Sequence, residues 1–213
     1  MSVYPSDSAV AAMVLAHGAG GGSQSGFMVQ AAHAFASRGI TIATFDFPYM
    51  AQGRSAPDKG PVLEAAWRAA IDTARAHPSV AGLPLFIGGK SMGGRIASQV
   101  AAQHVEGIAG LVYLGYPLHP PGRPEQRRDR HLPEITEPML FVQGTRDQFG
   151  TAAEIRELLP RLNARTTLFE VQDGDHSFAV RVSVTGKRAD AVLTEIFDTA
   201  ASFIQACANS ASR

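Results

Sequence analysis

The pentapeptide Gly89-Lys90-Ser91-Met92-Gly93 sets a serine between glycines. The apolar run Leu83 to Ile87 precedes it, and a helix-like stretch from Arg95 to Ala102 follows. Strand, sharp turn and helix in that order lift a serine hydroxyl out at the end of a sheet, where it can act as a nucleophile. The turn forces strained backbone angles on the serine, and glycine at 89 and 93 removes side chains that would crowd it. A plain glycine-rich turn has the same five residues, so the pattern needs partners elsewhere. A phosphate-binding loop is the other rival, because Gly89-Lys90-Ser91 resembles the end of one. Such a loop requires a glycine five residues before its Gly-Lys pair, and position 84 is proline.

A serine hydroxyl is a poor nucleophile until a base takes its proton, and imidazole suits that task near neutral pH. Gly144-Thr145-Arg146-Asp147 follows the apolar run 139–143, and Asp173-Gly174-Asp175-His176-Ser177-Phe178 follows the run 166–171. The candidate nucleophile, acid and base are therefore Ser91, Asp147 and His176, each beyond a different strand. Asp175 is the rival acid. Asp147 is preferred, because neighbours in a tight loop cannot easily align a carboxylate with the next residue's Nδ1. His33, His77 and His104 fall on or at the ends of predicted helices, while His119 and His131 flank an arginine-rich loop.

His17-Gly18-Ala19-Gly20-Gly21-Gly22 follows the first strand and leaves backbone N–H groups bare, as stabilisation of an oxyanion requires. The expected donors are the N–H groups of Met92 and Ala19, with Gly20 as the alternative to Ala19. These glycines lack the dinucleotide-binding register, since position 23 is serine. His17 is expected to be a structural hydrogen-bonding residue.

Positioning such residues needs a sheet. Short apolar runs alternate with longer amphipathic ones, which predicts an α/β fold with a mainly parallel six-stranded sheet and helices on both faces. The predicted strands begin at Ala11, Ile40, Leu83, Ile108, Met139 and Thr166. Helices are predicted over 27–38, 61–77, 92–103, about 151–162 and 189–206. In open α/β sheets ligands bind beyond the carboxyl ends of strands, which is where all three candidates stand.

A length of 213 residues fits one domain spanning 1–213, with no linker or repeat. Formal net charge is zero, which removes the electrostatic case for nucleic acid or an anionic membrane as partner. Cys207 is the one cysteine, so no internal disulfide is expected and a cytoplasmic, reducing compartment is the default. Its place in the last helix makes core packing its expected role. No signal peptide is expected, because Met1 to Ala9 carries no Lys or Arg and the apolar run that follows is short.

Four motifs carry a family resemblance: Gly-Lys-Ser-Met-Gly-Gly-Arg (89–95), Gly-Tyr-Pro-Leu-His-Pro-Pro-Gly (115–122), Gln-Gly-Thr-Arg-Asp (143–147) and Gly-Asp-His-Ser-Phe (174–178). Over roughly residues 10–206 the chain resembles a small α/β-hydrolase of the dienelactone-hydrolase-like type. Within that superfamily it looks like an uncharacterised subgroup related to testis-expressed and chromatin-complex hydrolase-like proteins. The resemblance implies an α/β-hydrolase fold without a cap domain, a Ser91–Asp147–His176 triad, and hydrolysis of a small ester or related acyl substrate. It implies no metal and no organic cofactor. Dienelactone hydrolases carry cysteine where this chain has Ser91, which argues against dienelactone chemistry itself. Some relatives serve as binding subunits, so a non-catalytic interaction module is the alternative. Ester, thioester, lactone and peptide bonds all stay open as targets.

The connection 116–134 is too short for a cap and carries Arg123, Arg127, Arg128 and Arg130 against Glu125 and Asp129. It reads either as a cationic rim that favours acidic substrates or as a solvated loop whose charges pair locally. The loop 47–60, with Tyr49, Met50 and Arg54, is expected to form a pocket wall. Trp67 is expected to pack rather than to touch a ligand.

Overall fold

The computed structural model describes residues 1–211. Its strands are β1 (Ser2–Tyr4), β2 (Ala11–Ala16), β3 (Ile40–Phe45), β4 (Leu85–Lys90), β5 (Ile108–Leu114), β6 (Met139–Gly144) and β7 (Thr166–Val171). The helices are α1 (Gly26–Ala36), α2 (Pro48–Ala51), α3 (Gly60–Arg75), α4 (Met92–Ala101), α5 (Ala152–Leu158), α6 (Val182–Thr185) and α7 (Ala189–Ala211). Every residue of β2, β3 and β6 is buried, as a parallel sheet covered on both faces requires. The strand period of two divides their side chains between two cores. Met13 and Leu15 pack with Phe35 of α1 and Phe197 of α7. Ala12, Val14 and Ala16 join Trp67 of α3, Ile96 of α4 and Ile155 of α5 on the other face.

The sheet order is β1-β3-β2-β4-β5-β6-β7. Among the described residues it therefore has seven strands rather than the six expected. The additional strand is β1, which pairs antiparallel with β3, Val3 opposite Ala43. Three residues show no readable period, and the open edge of β3 supplies the pairing. The single-turn helices α2 and α6 escape sequence reading for the same reason.

The strand before Ser91 is also displaced from its expected span of 83–87. It begins at Leu85 and runs on through Gly88 and Gly89, which pair with Leu15 and Ala16 of β2. A Cβ on Gly88 would collide with the Val112 carbonyl, and one on Gly89 with the Ala16 carbonyl. Glycine here permits close strand approach instead of ending the strand.

From β2 the chain adds β3 on one side and then crosses over β2 to add β4 on the other. The direction reverses between β2 and β4, so their carboxyl ends border a crevice of the kind in which such sheets bind ligands. The glycine loop after β2 and the turn at Ser91 both open onto it. No cap domain interrupts the connection from β5 to β6; it holds one 3₁₀ turn, Leu132–Glu134. Among the described residues, no helix is long and apolar enough to cross a membrane.

Because the Val112 carbonyl is backbone and cannot swing aside, Gly88→Ala is expected to cost about 1–3 kcal/mol, as overpacking typically does. At this chain length that lowers Tm by about 2–12 °C, measurable by thermal denaturation.

Candidate active site

Ser91 occupies a sharp turn with φ 51° and ψ −117°, immediately before α4. A non-glycine residue holds such angles only where its surroundings over-determine them. Here the Ser91 N–H donates to the Leu114 carbonyl at 3.1 Å, and the Ser91 carbonyl accepts from the Arg95 N–H at 3.1 Å. Gly93 lets α4 start against β2: a Cβ there would lie 2.5 Å from the Ala16 oxygen and 2.7 Å from that of His17. Buried Trp67 donates its Nε1–H to the Gly93 carbonyl at 3.1 Å and ties α3 to the same turn. Trp67 is thus a packing residue, as its sequence position suggested.

His176 and Asp147 arrive from the loops after β7 and β6. His176 Nε2 lies 2.8 Å from Ser91 Oγ, and His176 Nδ1 lies 2.7 Å from Asp147 Oδ2. With an ionised Asp147 as acceptor, Nδ1 carries the proton and Nε2 is free to accept from the serine hydroxyl. Asp147 is buried, and a carboxylate out of water needs donors. Its Oδ1 accepts from the Phe149 N–H at 2.8 Å and its Oδ2 from Gln143 Nε2 at 2.9 Å. Asp175 is spent elsewhere: its Oδ1 caps the N–H groups of Ser177 and Ala179 at 2.8 and 2.9 Å. The carboxylate facing His176 is therefore that of Asp147.

Four supporting residues go beyond the three candidates. Buried Gln143 accepts the Tyr116 N–H at 2.8 Å while donating to Asp147 and, at 2.6 Å, to the Gly150 carbonyl. A glutamine inside an otherwise apolar strand was the available sequence signal. The Phe149 ring lies against the His176 imidazole, centroids 4.2 Å apart. Lys90 donates from Nζ to the His176 carbonyl and sits 5.0 Å over the Phe178 ring. His17 donates from Nδ1 to the Gly18 carbonyl at 2.7 Å and accepts the Phe47 N–H on Nε2 at 3.2 Å. Burial lowers the His17 pKa, so the ring is neutral and acts as the structural bracket expected of it.

Ser91 and His176 border a cavity of about 810 Å³ whose lining also includes Ala19, Gly20, Met92 and Phe149. Met92 opens α4, so its N–H has no intrahelical acceptor. The loop after β2 stands beside the serine: a Cβ on Gly18 would lie 3.5 Å from Ser91 Cβ. The Tyr49 hydroxyl donates to the Ala19 carbonyl at 3.1 Å, which fixes the peptide plane that also carries the Gly20 N–H. Ala19 and Gly20 both line the cavity, and both remain available as donors.

The loop 47–60 contributes Pro57, Asp58 and Gly60 to this wall rather than the expected Tyr49, Met50 and Arg54. Of the four arginines in the connection 116–134, Arg128 lines the cavity, whereas Arg127 pairs with Asp129 at 2.6 Å. Buried Cys207 packs in the core with α7, next to Arg165. Among the described residues no group of three or more His, Cys, Asp or Glu side chains gathers as metal ligands would.

Burial pushes the Lys90 ammonium down to about 8 from an ordinary 10.5, against the opposing pull of Asp147 and Asp175. Between those two values the unfolded chain binds the extra proton, so this group makes stability rise with pH across that window. Urea denaturation should show wild type gaining on Lys90→Met from about pH 8 to 10.5. A constant difference would mean that Lys90 titrates like a solvated lysine.

The family profile of the alpha/beta hydrolase domain matches residues 9–205. Dienelactone hydrolase from Anabaena variabilis ATCC 29413 superposes with a TM-score of 0.71 at 19% identity, over 94% of this chain and 88% of that one. Est1E from Butyrivibrio proteoclasticus, solved with ferulic acid bound, gives 0.70 at 14% identity, over 92% and 94%. The esterase domain of a Rhodothermus marinus protein gives 0.67 at 13% identity, over 95% and 90%. At such identities the structural likeness speaks for the fold, and the profile match speaks for the family. The chain has the α/β-hydrolase fold and belongs to the alpha/beta hydrolase domain family.

Proposed function

We propose that the protein is a serine hydrolase that cleaves a small ester through a Ser91–His176–Asp147 acyl-enzyme mechanism. The observation that carries this reading is the relay from Ser91 Oγ to His176 Nε2 at 2.8 Å and from His176 Nδ1 to Asp147 Oδ2 at 2.7 Å. His176 takes the hydroxyl proton as Oγ adds to the ester carbonyl. Asp147 holds the imidazole in the useful tautomer and stabilises the imidazolium that forms. The N–H groups of Met92 and Ala19, or Gly20 in place of Ala19, receive the developing oxyanion. As the adduct collapses, His176 protonates the departing alcohol and the acyl group stays on Ser91. Water, deprotonated by the same imidazole, then releases the acid and restores the serine. The cycle needs no metal or organic cofactor.

A cavity without a cap suits short acyl groups, and Phe27, Met28 and Leu63 offer them an apolar wall. The four sequence motifs support a place within the dienelactone-hydrolase-like superfamily, in the subgroup related to testis-expressed and chromatin-complex hydrolase-like proteins, and the lone buried Cys207 supports a cytoplasmic setting.

A fluorophosphonate probe tests the reading. Wild type should label, and Ser91→Ala and His176→Ala should not. Asp147→Asn should keep its fold and lose about 10⁴-fold in kcat on a p-nitrophenyl ester. Folded wild type that never labels would sink catalysis in favour of a non-catalytic hydrolase-fold interaction module. Proline has no N–H to donate, so Ala19→Pro and Gly20→Pro separate the two candidate donors. The one that matters should lower kcat by about 10²–10³-fold.

A further inference from the structure

We infer that Arg95 and Arg128 form an anion site within the Ser91 cavity, so that the ester cleaved carries a carboxylate on its acyl chain. This rests on the hydrolase reading above and names its substrate class. Arg95 stands four residues beyond Ser91, one turn along α4, and Arg128 comes from the connection between β5 and β6. Both line the cavity that holds Ser91 and His176.

Neither arginine forms a salt bridge among the described residues, although acids are close. Asp129, next to Arg128, is spent on Arg127 at 2.6 Å. Asp58, on the cavity wall, pairs through Oδ1 with Arg54 at 2.7 Å, and its Oδ2 has no partner. Glu64 accepts from Gln103 Nε2 at 2.8 Å. Arg95 Nε is buried with no partner, and Arg95 Nη1 makes one long contact, 3.4 Å, to Gln99. His131 offers no negative charge: its Nε2 is bonded to Ser98 Oγ at 2.7 Å, and burial followed by the Arg95 charge pushes its pKa down to about 4.

Burial, and after it the charge of Arg128, also pushes Arg95 below its ordinary value. Arg95 and Arg128 line one cavity, and among the described residues neither guanidinium is paired with an anion. A carboxylate supplies it, because the planar guanidinium fork matches carboxylate oxygens in pairs. Arg128 is presented from a fixed point: its N–H donates to the Leu118 carbonyl at 2.8 Å, and its carbonyl accepts from the Tyr116 hydroxyl at 2.8 Å. Lys90, the other cation on the wall, is occupied by the His176 carbonyl.

The test compares mono-p-nitrophenyl esters of succinate, glutarate and adipate with neutral p-nitrophenyl esters of equal acyl length. Wild type should favour the best carboxylated ester by about 10–100-fold in kcat/KM, the range expected for hydrogen bonds to a charged group. Arg128→Gln and Arg95→Gln should bring that ratio near one, chiefly through KM, and added salt should shrink it in wild type. Variants that still label with fluorophosphonate are folded, and Arg128→Gln alone carries the test if Arg95→Gln does not fold. A ratio near one in wild type, or one unchanged in a folded variant, overturns the anion site. If wild type neither labels nor cleaves any ester, the hydrolase reading is what has failed. Calorimetry with free glutarate then decides the anion site. Binding that disappears in Arg128→Gln keeps it, and no binding to wild type overturns it.

Discussion

The structure turns on the close approach of β2 to β4 beneath a strained serine. Ser91 keeps φ at 51° because three packed neighbours leave it nowhere else to go. Its N–H is held by Leu114, the Ala16 carbonyl fills the space where a Cβ of Gly89 or Gly93 would be, and Trp67 grips the first turn of α4. Each of those contacts joins segments distant in the chain. The strain at one residue is therefore maintained by the whole middle of the sheet, which is how a single awkward backbone conformation persists. The same approach sets the glycine loop after β2 beside the serine.

A second dependence runs through buried polar groups. Asp147 can stay out of water because Gln143 and the Phe149 N–H satisfy it. Gln143 in turn holds the Tyr116 backbone, and the Tyr116 hydroxyl holds the Arg128 carbonyl. Carboxylate, imidazole and the arginine-bearing connection thus share one network. Buried networks of this kind are costly when incomplete, so their members tend to move together or not at all. That gives a connection with five prolines and four arginines a fixed point near the cavity, where a solvated loop would have none.

Much of the architecture was legible in the sequence because it is encoded locally. The strand–turn–helix pattern around Ser91 and six of the seven strands depend on neighbours within a few residues. Asp147 and His176 stand just beyond strand ends, and the topology of a parallel sheet brings those ends together. Chain order alone therefore pointed to three loops that meet.

Orientation and cross-strand distance decided the rest. Adjacency spoke against Asp175 as the partner of His176, but no local pattern tells that Asp175 caps its own loop, or that Arg128 faces the cavity while Arg127 pairs with Asp129. Strand β1 exists because β3 has an open edge, and Gly88 and Gly89 stay in the ladder because the neighbouring strands come too close for a Cβ. The sequence by itself determined which residue types stand at which strand ends, since periodicity and turn chemistry are short-range. Only the tertiary structure decided which side chains meet, because hydrogen bonds and ion pairs are chosen by distances between segments far apart in the chain.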